Sequence, residues 1–220
     1  MQIADQVRHA LGGGERWDSL AGVRWSFEYA LNDTIRTDRR HAWDKRTGWH
    51  RVEGKNRAGQ RLVIVHRISQ PEGRAWVDGK AIEGDSLQKL LKLGTSLWIN
   101  DAYWAFMPYK LRDPGVTVKM DGESRANGKM HDRLALTFAD VGETPGDRYW
   151  VSVDRATHRI ETWEMVLEGN QPPADTWTLE GWEEHGRLWF PTAKRNGNRT
   201  VYTRHIETVE GFPPGTFDAL

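Results

Sequence analysis

The sequence predicts a mainly β fold: a single curled antiparallel sheet with a few helices. Three observations predict it. Apolar residues recur with period two through most of the chain, close turn signals separate the segments, and no fixed-period repeat favours a propeller or solenoid. Twelve tryptophans stand in 220 residues beside no cysteine, and most fall inside these alternating segments. An indole buries roughly 150–250 Å² and dominates any core or interface it enters.

The first element is the exception to the β pattern. Ile3, Val7, Ala10 and Leu11 share one helical face before Gly12, Gly13 and Gly14 stop the pattern, which predicts an N-terminal helix within residues 1–14. From Val23 the period changes. Val23, Trp25, Phe27, Tyr29 and Leu31 alternate with polar or small residues, giving the clearest strand of the chain. Further strands are expected at 41–45, 49–53, 61–68 and 74–78, and close turns between them imply an antiparallel meander.

Asp85 then opens a helical pattern of Leu87, Leu90, Leu91 and Leu93. After Gly94 a second pattern carries Leu97, Trp98, Ala102, Trp104, Ala105 and Phe106 up to Pro108, so residues 85–107 read as two helices inserted into the sheet. Strands resume at 115–120, 133–138, 148–153, 159–167, 176–184, 187–190 and 200–209, about a dozen in all. Several are apolar on both faces, as where Trp150 stands among Tyr149, Val151 and Val153. One face could then pack on helices while the other lines a space; a two-faced solid core explains the same pattern.

Composition narrows the function. Lys and Arg together number 31, as do Asp and Glu, so the formal charge is zero and no global field draws nucleic acid or an anionic membrane. The longest aliphatic run, Leu62 to Val65, is far below the roughly 18 residues a membrane helix needs. Residues 1–3 lack the parts of a signal peptide, so the chain is cytosolic or stands without its leader. The absence of cysteine leaves both compartments open.

Common catalytic motifs are absent, and the eight histidines are scattered, so neither a catalytic set nor a metal or cofactor site is expected. Asp101, Asp113, Asp147, Glu161 and Glu164 are carboxylates that a glycosidase pair would need, but Asp113 and Asp147 fit turns. Arg36, Arg39, Arg40, Lys45, Arg46 and Arg51 interleave with Trp43 and Trp49. That composition suits the solvated outside of two strands, an anionic head-group at a cavity mouth, or single-stranded nucleic acid; neutral overall charge argues against the last.

The least generic segment is WINDAYWAFMPYKLRDPGV at 98–116, in which Pro108 cuts an aromatic helix and Asp113, Pro114 and Gly115 turn the chain into a strand. With TPGDRYWVSVD at 144–154 and IETW at 160–163, it resembles a family of bacterial secreted proteins of LolA/LolB-like architecture, related in fold to periplasmic lipoprotein carriers and their outer-membrane receptors. The resemblance implies one half-barrel domain over 1–220, an incomplete antiparallel β-barrel of about eleven strands whose helices plug a hydrophobic cavity. It also implies a periplasmic or secreted location, with the leader absent from this chain.

Two functions are expected from these readings. The first is a non-enzymatic carrier or sensor of an apolar small molecule or lipid, with a lipoprotein or other envelope protein as a further partner and helix 85–107 as lid. Trp25, Trp76, Trp98, Trp104, Phe106, Trp150 and Trp163 would line its site. The second is a carbohydrate-binding module that stacks sugars on exposed tryptophans.

Overall fold

The computed structural model describes residues 2–126, 128–139, 146–172 and 174–218. Met1 and the Thr144 and Pro145 of the resemblance motif lie outside the described residues. The order is α1 (Ile3–Ala10), α2 (Gly14–Ser19), β1 (Gly22–Leu31), β2 (Thr34–Asp44), β3 (Trp49–Lys55), β4 (Arg61–Arg67), β5 (Gly73–Val77), β6 (Lys80–Ala81) and α3 (Gly84–Phe106). A 3-10 turn (Met107–Arg112) follows, then β7 (Val116–Ala126), β8 (Lys129–Phe138), β9 (Arg148–Asp154), β10 (Ile160–Val166), β11 (Asp175–His185), β12 (Leu188–Asn196) and β13 (Arg199–Val209).

The strands form one antiparallel sheet of 13, in the order β6-β5-β4-β3-β2-β1-β13-β12-β11-β10-β9-β8-β7, and it is not closed into a barrel. The sequence predicts about a dozen strands and the resemblance implies about eleven. The two-residue β6 carries no periodic signal, and β2 begins at Thr34 rather than 41. Apart from the exposed Ile35 its first half is polar, so pairing with β1 (Leu31↔Thr34 to Gly22↔Asp44) makes it a strand where hydrophobicity could not.

The chain divides into two compact units, residues 1–18 with 106–200 and residues 19–105 with 201–220. In the first, α1 and the 3-10 turn meet around Trp17, which stacks on Tyr109 at 4.8 Å between ring centroids and meets Phe106 at 4.9 Å. The Tyr109 hydroxyl shares its proton between the carbonyls of Leu11 and Trp189, at 2.7 and 2.9 Å. A second aromatic row runs from Phe138 to Tyr149 to Trp163 at 5.0 and 5.4 Å. Gly12 has φ +104°, and a Cβ there would stand 2.0 Å from the Arg187 carbonyl oxygen. Only glycine suits both its backbone and its contact.

In the second unit, α3 lies against one face of β3, β4 and β5. Leu91 packs on Val52, Leu62, Ile64 and Ala75, flanked by Val77, Leu87, Leu90 and Leu97. The sequence led us to expect two helices parted at Gly94; α3 runs through it unbroken. A Cβ at Gly94 would stand 2.8 Å from His66 Cδ2 and 2.9 Å from Ile64 Cγ2, so this glycine brings helix and sheet into contact instead of ending a helix. Pro108 likewise tightens the chain into the 3-10 turn, its ring fitting where the first backbone N–H of a turn has no partner.

Candidate functional site

Side chains of a strand alternate between faces, so register fixes which residues look towards α3. Trp25 pairs with His41, His41 with Val52, and Trp43 with His50. His50 pairs with His66, and Val52 with Ile64. Val23, Trp25 and Phe27 on β1, Arg39, His41 and Trp43 on β2, His50 and Val52 on β3, and Ile64 and His66 on β4 therefore share the α3 face. Around Val52, Ile64 and Ala75 the face is apolar. From β2 to β4 it also carries a chain of buried polar groups.

That chain starts at Asp101 on α3, wholly buried. Arg39 donates to both its oxygens, Nε at 2.6 Å and Nη2 at 2.7 Å, and Asn100 Nδ2 donates to Oδ1 at 2.8 Å. His41 Nε2 lies 3.0 Å from Oδ2. His41 Nδ1 is 3.0 Å from His50 Nε2, and His50 Nδ1 is 2.9 Å from His66 Nε2. A carboxylate only accepts, so the contacts order the tautomers: each ring carries its proton on Nε2, directed towards Asp101. Trp25 stacks on His41 at 4.5 Å, with the planes 8° apart.

Burial controls the charge of these rings. Desolvation holds His41 below its ordinary pKa against the pull of Asp101. It lowers His50 further, with help from the charges of His41 and His66, and it brings His66 to about 4. Burial alone would raise Asp101, but hydrogen bonds from His41 and Arg39 outweigh it and keep the carboxyl ionised. The row is three neutral imidazoles ending on one charged pair. Among the described residues no cluster of His, Asp or Glu has the geometry to hold a metal ion.

The structure places the seven expected lining residues separately. In the second unit, Trp25 is 1% exposed beneath α3. Trp98 and Trp104 are half-buried on α3, and Trp98 meets the half-buried Trp43 edge-on at 5.2 Å. Trp76 neighbours Ala75, which pairs with Ile64, so it sits on the opposite face from Trp25. In the first unit, Phe106 is fully buried against Trp17 and Phe190, and Trp163 is buried against Tyr149. Trp150 is half-buried, with the Arg133 guanidinium 5.0 Å from its ring centroid.

The histidine chain is absent from the sequence expectations, since its members are 9 and 16 residues apart. One signal was available. Following the strand alternation through the hairpins at Thr47-Gly48 and Ala58-Gly59 brings three histidines to one face of three adjacent strands.

No known protein family pattern matches the chain, and no curated protein matches it. Solved structures do. A LolA superfamily protein from Nitrosomonas europaea aligns over 99% of this chain and 98% of its own, with TM-score 0.53 at 10% identity. The fold is LolA-like. A Vibrio parahaemolyticus structure described as an outer membrane lipoprotein-sorting protein domain covers 98% of this chain and 94% of its own, with TM-score 0.52 at 12% identity. A DUF1329 family protein from Desulfovibrio piger gives 99% and 98%, 0.53 and 10%. At such identities the LolA likeness is one of architecture. No helix among the described residues is long and apolar enough to cross a membrane.

Proposed function

We propose that this protein is a non-enzymatic carrier or sensor of an apolar ligand, a lipid or a lipoprotein acyl chain, in the periplasm or outside the cell. The observation that supports it most is the LolA-like sheet with α3 laid on an aromatic face. Trp98 and Trp104 on that helix, with Trp43 on β2, are large and only half covered, as the contact group for an apolar chain should be. That the Vibrio relative is described as a lipoprotein-sorting domain agrees with this chemistry.

Titration with a lysophospholipid, read by tryptophan emission, tests the reading. Saturable blue-shifted emission is expected in the wild type, and Trp98→Ala should weaken binding about tenfold, as for loss of one well-packed aromatic anchor. Emission unchanged up to micellar concentrations contradicts it. The sugar-binding alternative gains nothing from the structure: Trp150, Trp177, Trp182 and Trp189 each already have an arginine over the ring.

A further inference from the structure

The face of β1–β3 turned away from α3 carries a second feature. Arg24 pairs with Ala42 and Ala42 with Arg51, so two arginines flank a small residue in one row across three strands. In the adjacent row Ser26 pairs with Arg40 and Arg40 with Glu53. Long side chains around small ones leave a hollow. The C-terminal segment roofs it: Arg51 Nη1 donates to the Thr216 carbonyl at 3.3 Å, and the Arg24 guanidinium rests 5.0 Å from the Phe212 ring centroid. Ala42 is only 7% exposed, although it lies on the outward face. The resulting cavity is about 330 Å³ and is lined by Arg24, Arg40, His41, Ala42, Arg51, Glu53, Gly215 and Thr216.

Its charge is not balanced. Three guanidinium groups face one carboxylate, a surplus of two positive charges at the lining. Glu53 is engaged by Arg51 at 2.7 Å and by Arg61 at 3.3 Å, and Arg24 holds Glu207 at 3.0 Å where both are partly exposed. Arg40 is exposed, and among the described residues no carboxylate pairs with it. A pair such as Arg24 with Glu207 is worth little in solvent and yields readily to a better anion. Guanidinium forks match tetrahedral oxyanions, and forks entering from three strands suit three oxygens.

We propose that this cavity binds a phosphate monoester dianion, held by Arg24, Arg40 and Arg51. Arg40 supplies the contact that no internal partner satisfies. The volume accommodates a small polyol beside the phosphate, and Glu53 accepts from a polyol hydroxyl. Two sources share this chemistry, a free phosphate ester and the head-group of a phosphatidic acid. The site does not depend on the apolar-ligand reading, because it occupies the other face of the sheet.

Calorimetric titration with glycerol 3-phosphate tests it, alongside flotation with phosphatidylcholine vesicles with or without phosphatidic acid. Saturable binding is expected, weakened roughly tenfold or more by Arg40→Gln, as for loss of one charge-assisted bond. Arg36→Gln removes the same charge from an exposed arginine of β2 outside the cavity and should leave binding unchanged. Flotation with phosphatidic acid vesicles that glycerol 3-phosphate reverses assigns the head-group; ester binding without flotation assigns a free ester. No saturable binding of the ester, or equal losses in both variants, overturns the proposal. Lysophospholipid binding should be the same in Arg40→Gln, so failure here is separable from failure of the carrier reading.

Discussion

The Arg159 guanidinium lies 4.5 Å from the Trp189 ring centroid and 5.3 Å from that of Trp182, while Arg199 covers Trp177 and Arg133 covers Trp150, each at 5.0 Å. The half-buried Trp150, Trp182 and Trp189 are thereby given a charged cover. Arg159→Ala should cost about 1 kcal/mol in urea unfolding, since it uncovers two rings at once; an unchanged midpoint would show the contacts to be idle. His50 is the opposite case, a polar group with no solvent. The unfolded chain protonates these histidines near 6.5, whereas the folded protein holds all three pKa values below that, His66 at about 4. Their contribution is complete above pH 6.5 and is lost as the pH falls towards 4, by up to about 1.4 kcal/mol per pH unit for each ring that stays neutral. His50→Leu removes a hydrogen-bond partner from both His41 Nδ1 and His66 Nε2. It should cost roughly 2–5 kcal/mol at pH 7.5 and flatten the slope between pH 6.5 and 5. Urea midpoints across that range check both.

At the scale of elements, α3 decides between two effects at Gly94. Helix propensity favours Gly94→Ala by about 1 kcal/mol. The added methyl would meet the His66 ring at 2.8 Å and Ile64 at 2.9 Å, and overpacking of this kind costs about 1–3 kcal/mol. The clash should win, and urea unfolding should show net destabilisation; a more stable variant would mean that α3 is not held so closely. The same glycine shows where sequence reading stops. β1 was legible because Val23, Trp25 and Phe27 alternate in one segment and bury one face. The first half of β2 was not, because Arg36, Asp38, Arg39 and Arg40 are polar whichever way they face, and only a partner strand makes them regular. Gly94 and the histidines were illegible for a related reason. Their roles are fixed by residues on other strands, and local pattern carries no register across three strands.

At the scale of the whole molecule, the sequence pointed to one antiparallel sheet with helices beside it, and the resemblance to LolA-like proteins matches the architecture found. What it left open is how the α3 face is filled. Leucines pack against Val52, Ile64 and Ala75, the Asp101 chain crosses from β2 to β4, and half-buried tryptophans stand on the helix. The proposed ligand would meet those tryptophans. Native mass spectrometry of the protein, purified without detergent from bacterial envelope and followed by organic extraction, measures this most directly. A discrete added mass, matched by an extracted lipid or acyl chain, and lowered in occupancy by Trp98→Ala, is the result our account predicts. A protein of bare polypeptide mass, which yields no lipid on extraction and takes up none when offered, would contradict it.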